Sequence, residues 1–193
     1  IKPNYNTADP FPASTSLDFL ETVIKSVYQA GAKAVIVGES STYSLNTREV
    51  LQEAGVIDLC HKLKAKVYVF EEREWVKKKV NNAKYMNTLI VPKIIDKADK
   101  IITLPCLKSH RYARFTASLK LAVGFLKTRQ RMRLHLRKLE EKIADLNLVY
   151  KPNLILMDAR KVFVTRGPEQ GKVKQPNIIL AGTDRIAIDV EGV

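Results

Sequence analysis

The sequence is poor in the residues that mark several protein classes. Its 193 residues hold two cysteines, Cys60 and Cys106. Two thiols make neither a disulfide framework nor a cysteine-rich cluster site, and they fit a reducing, cytoplasmic compartment. No apolar run approaches the ~18 residues of a membrane span; Leu121–Leu126 is among the longest. The glycine-patterned motifs are missing too. There is no G-x-G-x-x-G after a strand, no G-x-x-x-x-G-K-[ST] and no G-x-S-x-G, which removes the dinucleotide, P-loop and serine-hydrolase fingerprints. Without H-x-x-x-H or C-x-x-C, the ordinary zinc and ferredoxin patterns fall away as well.

What remains is a balanced composition, 46% hydrophobic and 27% charged. That excludes a disordered, collagen-like or coiled-coil chain. A chain of this length buries roughly 70% of its extended surface, enough for a core without staples. Acid is absent from one place in particular. Residues 108–138 carry ten basic groups and no Asp or Glu, within a net charge of +13. The rest of the chain is close to neutral, so the basicity belongs to that segment. Such a field recruits anions, whether small ligands, nucleic acid or an acidic protein surface. A solvated helix face is the plain alternative.

Hydrophobic periodicity alternates between strand and helix. Leu17, Leu20, Val23, Ile24 and Val27 predict a helix over 16–30, and 34–37 predicts a strand ending at Gly38. Short helices follow at 48–54 and 57–63, then strands at 66–70, 88–91 and 100–104, with a helical turn at 94–98 between the last two. Met132, Leu136, Leu139, Ile143 and Leu146 step 4-3-4-3, predicting one long helix over 129–146, with His135 inside its apolar stripe as a core histidine or, as the lesser reading, an inward catalytic group. Strands at 153–157, 161–164 and 177–181 precede a final helix capped by Thr183 or Asp184. This is the pattern of an α/β fold, a mostly parallel sheet flanked by helices in a single domain over 1–193. Ile1 falls in a strand-like stretch and Val193 in a helical one, so truncation at one or both ends is expected.

The densest chemistry follows the strand at 100–104, where α/β sheets place their ligands. The segment 105–120 is expected to be a loop carrying Lys108, His110, Arg111, Arg114, Thr116 and Lys120. His110 is a candidate acid/base or metal ligand, with a surface or capping histidine as the plainer reading. Lys120 is the only charge in Leu119–Leu126; an apolar setting would make it a nucleophile or base, whereas snorkelling would not. Gly167 and Gly171 bracket a loop beside Arg166 that could cradle an anion or simply turn. Asp158 is expected to end a strand and face the pocket or cap a turn, and Asp184 and Asp189 to lie on different helix faces.

These residues carry a resemblance. Ile1-Lys2-Pro3-Asn4, then Leu104-Pro105-Cys106-Leu107-Lys108-Ser109-His110, Thr116, Lys120 and Gly124, followed by Asp158, Gly167-Pro168, Gly171 and Ala181-Gly182-Thr183-Asp184, resemble the family known as domain of unknown function 362. Leu121 departs from the asparagine expected after Lys120. The resemblance covers nearly the whole chain and implies a fold rather than an activity. It adds Lys2 and Asn4 to the candidate ligand-binding set, and it implies association with an iron–sulfur segment, for which this domain would be a scaffold. His110-Arg111-Tyr112-Ala113-Arg114-Phe115-Thr116-Ala117-Ser118-Leu119-Lys120 is also similar to the lactate racemase motif His-x-x-Ala-Gly-Phe-Ser-Gly-Gly-Ala-Lys. In that enzyme the histidine serves a nickel site and the lysine tethers a pincer nucleotide cofactor. Arg114, Ala117 and Ser118 replace its glycines. The leading expectation is a small-anion site at 105–120, racemase- or isomerase-like, with His110 and Lys120 catalytic and Lys108, Arg111 and Arg114 holding carboxylate or phosphate. A basic nucleic-acid-binding module over 108–138 is the runner-up. The native cofactor and metal stay open.

Overall fold

The computed structural model describes residues Ile1–Val193. In chain order the elements are α1 (Leu17–Gln29), β1 (Ile36–Glu39), α2 (Thr47–Glu53), α3 (Val56–Lys62), β2 (Lys66–Val69), β3 (Trp75–Lys79), β4 (Thr88–Pro92) and α4 (Ile94–Lys97). The second half adds β5 (Ile102–Thr103), β6 (Cys106–His110), β7 (Arg114–Thr116), α5 (Ser118–Leu121), α6 (Thr128–Leu134) and α7 (Leu139–Leu146). Then come β8 (Leu154–Phe163), β9 (Val173–Lys174), β10 (Ile178–Gly182) and α8 (Arg185–Gly192).

The parallel part of the sheet runs through the very start of the chain. β1 pairs parallel with β2. Ile1 N donates to the Ile36 carbonyl at 2.7 Å and Gly38 N–H donates back to Ile1 O at 2.9 Å. Lys2 bridges Thr103 on the other side, also parallel, and β5 and β6 both run parallel to β8. The extended segment 1–3 thus joins β2–β1 to β5–β8. Antiparallel pairing is confined to the periphery, where β10 and β9 flank β8, β7 folds back on β6, and β3 and β4 form their own hairpin. This is an α/β fold with a mostly parallel sheet.

Two apolar clusters hold the helices against it. Leu20, Val23 and Ile24 of α1 pack with Val37, Leu51, Val56 and Leu104. Leu89 and Val91 of the β3–β4 hairpin pack with Phe125, Leu134, Ile143 and Leu146. At ~25 cal/mol per Å2 of apolar area, each fully buried leucine contributes roughly 1.5–3 kcal/mol. No helix is long and apolar enough to cross a membrane.

Four expectations need correction. The continuous helix over 129–146 is two helices, α6 and α7, separated by a break whose Lys138 takes φ +57°. The break lets each helix turn a different face inward. α6 buries Arg131 and Leu134 and leaves Met132 in solvent, Leu136 beyond its end is exposed too, and α7 buries Ile143 and Leu146. His135, just beyond α6, is exposed rather than a core residue. The strands expected at 153–157 and 161–164 are one, the ten-residue β8. Asp158 therefore lies mid-strand, 1% exposed, and receives Arg160 Nη2 at 2.8 Å. Arg160 also grips Asp18 at 2.8 Å and Ser16 at 2.6 Å, so the pair fastens the start of α1 to β8. Finally, the expected loop 105–120 is a β6–β7 hairpin leading into α5.

Candidate functional site

The hairpin explains why these residues converge. Side chains alternate along a strand, and β6 buries Cys106, Lys108 and His110 on one side. Thr116 stands opposite Lys108 in the ladder and Arg114 opposite His110. Lys108, His110 and Thr116 all line a cleft of about 920 Å3. The other walls come from the ends of parallel strands (Lys2, Asn4, Glu39, Ser40), from Lys120 through Gly124, from α6, and from Pro168 and Glu169. The cleft thus opens at strand C-termini, the edge at which α/β sheets place their ligands.

α5 is only four residues long and owes its position to a distant carboxylate. Asp189 of α8, 4% exposed, accepts from Ser118 N at 2.7 Å and Leu119 N at 3.0 Å. Those are the first donors of α5, and a carboxylate satisfies them at low cost. Asp184 caps α8 itself, accepting from Ile186 N and Ala187 N. So the two aspartates do separate work, and Asp189 sets where Lys120 projects.

Lys120 is half-buried and makes no hydrogen bond or ion pair. Burial and the neighbouring Lys108 ammonium hold its amine down at about 8, against the opposing pull of Glu169. Lys108 is 3% exposed; its ammonium has one bond, to the Ala13 carbonyl, and no carboxylate. Burial holds it too below the ordinary lysine range. Thr116 is 5% exposed and its hydroxyl has no partner. His110 is pushed down to about 3, chiefly by burial and then by Lys120. Its Nδ1 lies 3.1 Å from both Tyr112 N and Ala113 N. Two N–H donors demand a lone pair there, so the proton of the neutral ring sits on Nε2.

The remaining candidates divide. Lys2 lines the cleft but is spent on Glu39 at 2.5 Å and the Pro3 carbonyl at 2.7 Å. Asn4 also lines it, its amide held by Ala13 O at 3.2 Å. Arg111 arrives paired with Glu169 at 2.9 Å. Arg114 and Asp158 do not line the cleft; Arg114 is exposed and reaches Glu140 at 3.2 Å. Gly167 and Gly171 stay outside as well, and packing accounts for them. A Cβ would stand 1.8 Å from Ser109 O at the first and 1.9 Å from Thr165 O at the second. Glu39, Arg131 and Glu169 line the cleft without having been singled out from sequence. Glu39 was legible, since it ends a strand just past Gly38. Arg131 was hidden inside a helix that looked solvated; its guanidinium reaches Ser40, Ser41 and Leu126.

The family model of the domain of unknown function DUF362 matches residues 1–193. The chain belongs to that family. No curated protein matches. Among solved structures, the lactate racemase apoprotein of Thermoanaerobacterium thermosaccharolyticum shares the fold. It aligns with a TM-score of 0.60 at 13% identity, over 99% of this chain and 46% of that one. The chain therefore spans about half the length of that relative in fold. The DUF362 chain does not fit the metal role that the motif resemblance implied for His110. Its only free ring nitrogen, Nε2, carries a proton and has no lone pair to give. Nor do three or more His, Cys, Asp or Glu side chains converge anywhere on a possible metal position.

Proposed function

We propose that this DUF362 domain binds a small carboxylate- or phosphate-bearing ligand in the cleft, with proton-transfer chemistry of the isomerase class centred on Lys120. One observation carries the reading. Two cleft lysines, Lys108 and Lys120, have no carboxylate partner, although buried cations are ordinarily paired. An anionic ligand would supply that missing charge. Thr116 Oγ1 and His110 Nε2–H would donate to it, and Lys120, an amine near neutrality, would take or return a proton.

The runner-up, nucleic-acid binding through 108–138, draws on the exposed Arg129, Arg133 and Arg137. Salt separates the two. Titrations with lactate, inorganic phosphate and a single-stranded oligonucleotide, each at low and high salt, are the test. Saturable one-to-one binding of a small anion, lost in Lys108→Met, supports the proposal. Binding of the oligonucleotide alone, with a log–log salt slope of several units, overturns it in favour of the runner-up.

A further inference from the structure

The cleft holds an amine, an anion seat and a hydrogen-bond donor, and proton transfer alone does not need all three. Lys120 Nζ stands free on the wall, without an acceptor to orient it or a carboxylate to keep it charged. Lys108 and Thr116 form the floor, side by side in the β6–β7 ladder and each less than a tenth exposed. Lys108 spends one of its three donors on Ala13 O, and the Thr116 hydroxyl spends none. A planar carboxylate takes one bond from an ammonium and one from a hydroxyl. That matches this floor better than a phosphate dianion, which asks for more donors. His110 Nε2–H is a further donor in the cleft, suited to a carbonyl oxygen rather than to a second anion.

We infer that the cleft takes a 2-oxo acid and that Lys120 condenses with its carbonyl carbon to form an imine, resting on the small-anion reading above. The step balances without any further reagent. The Nζ lone pair attacks the carbonyl carbon, and the π pair moves to oxygen. Nζ gives up its protons, the oxygen leaves as water, and a C=N bond joins lysine to substrate. The depressed basicity of Lys120 leaves a usable fraction of free amine near neutral pH. Lys108 and Thr116, paired in the ladder and buried, would hold the carboxylate end while the carbonyl is presented to the amine on the same cleft.

The test is reductive trapping. The intact protein is incubated with pyruvate and cyanoborohydride, and the adduct is located by peptide mass spectrometry. One reduced adduct at Lys120 is expected, formed about tenfold faster than with methyl pyruvate, whose ketone is similarly activated but uncharged; that is the advantage one charge-assisted contact confers. Lys120→Arg keeps the charge and should abolish the adduct while circular dichroism stays unchanged. Lys108→Met should keep the amine but lose the preference for pyruvate over methyl pyruvate. Lactate, which has no carbonyl, separates the two readings. If lactate binds but pyruvate leaves no adduct at Lys120, the imine is overturned and the anion site stands. If neither lactate nor pyruvate binds, the imine falls, and if inorganic phosphate fails to bind as well, the anion reading falls with it. An adduct scattered over surface lysines, or one persisting in Lys120→Arg, also overturns the imine.

Discussion

Acid should weaken this fold through His110, and the size of the effect follows from its surroundings. The ring is 8% exposed, its Nδ1 is committed to two backbone N–H groups, and Lys120, Lys108 and Arg111 all oppose a second proton. Its proton affinity is pushed down from the ordinary 6.5 to about 3. The unfolded chain takes up a proton near pH 6.5, whereas the folded one refuses it until about 3. Between those values the unfolded state binds more protons, so stability falls as pH falls, by about 1.4 kcal/mol per pH unit. At pH 5 the loss amounts to about 2 kcal/mol, a large share of the ~5–15 kcal/mol that holds a typical domain. Urea unfolding at pH 7, 6 and 5, run on the wild type and on His110→Gln, isolates the contribution, because the other ionisations cancel in the difference. The advantage of the wild type over the variant should shrink by about 2 kcal/mol across that range. Nitrogen NMR on labelled histidine should show Nδ1 unprotonated and Nε2 protonated throughout. A difference that stays flat with pH, or a His110 titration near 6.5, refutes the reasoning.

Two further outcomes follow from the same packing. Lys2→Met leaves the Glu39 carboxylate buried without its cation, and should cost about 3–5 kcal/mol in chemical denaturation. Adding Glu39→Gln removes the stranded charge and should recover a substantial part, since the side chain can still accept from Tyr5 N or Ser40 N. Gly167→Ala places a Cβ against Ser109 O and should cost about 1–3 kcal/mol, read as a lowered melting temperature; unchanged melting would mean the 167–171 loop moves freely away from β6.

The chain order of strands and helices was legible because hydrophobic periodicity is a local property. α1 and the β4 strand fall within a residue or two of their predicted bounds, and Asp184 caps its helix as its position foretold. β1 begins two residues late and ends one residue past Gly38, since its pairing with β2 from Ile36 to Glu39, not the apolar run, decides where it starts and stops. The stripe from Met132 to Leu146 misled for a related reason. Periodicity says that a face is apolar but not that the backbone stays helical, and Lys138 breaks it.

By itself the sequence determined an α/β protein with one concentrated block of basic residues beyond the strand at 100–104. It also marked Lys108, His110, Thr116 and Lys120 as the chemistry worth following. Tertiary structure alone decided which of those charges face one another. Lys2 and Arg111 are neutralised by Glu39 and Glu169 from elsewhere in the chain, Arg114 turns out to Glu140, and Asp158 is consumed by Arg160. Lys108 and Lys120 are left without a carboxylate, on a hairpin and a helical turn held by Asp189 from 70 residues away. A charge's role depends on what desolvates and what pairs it, and both are long-range facts that no local pattern records.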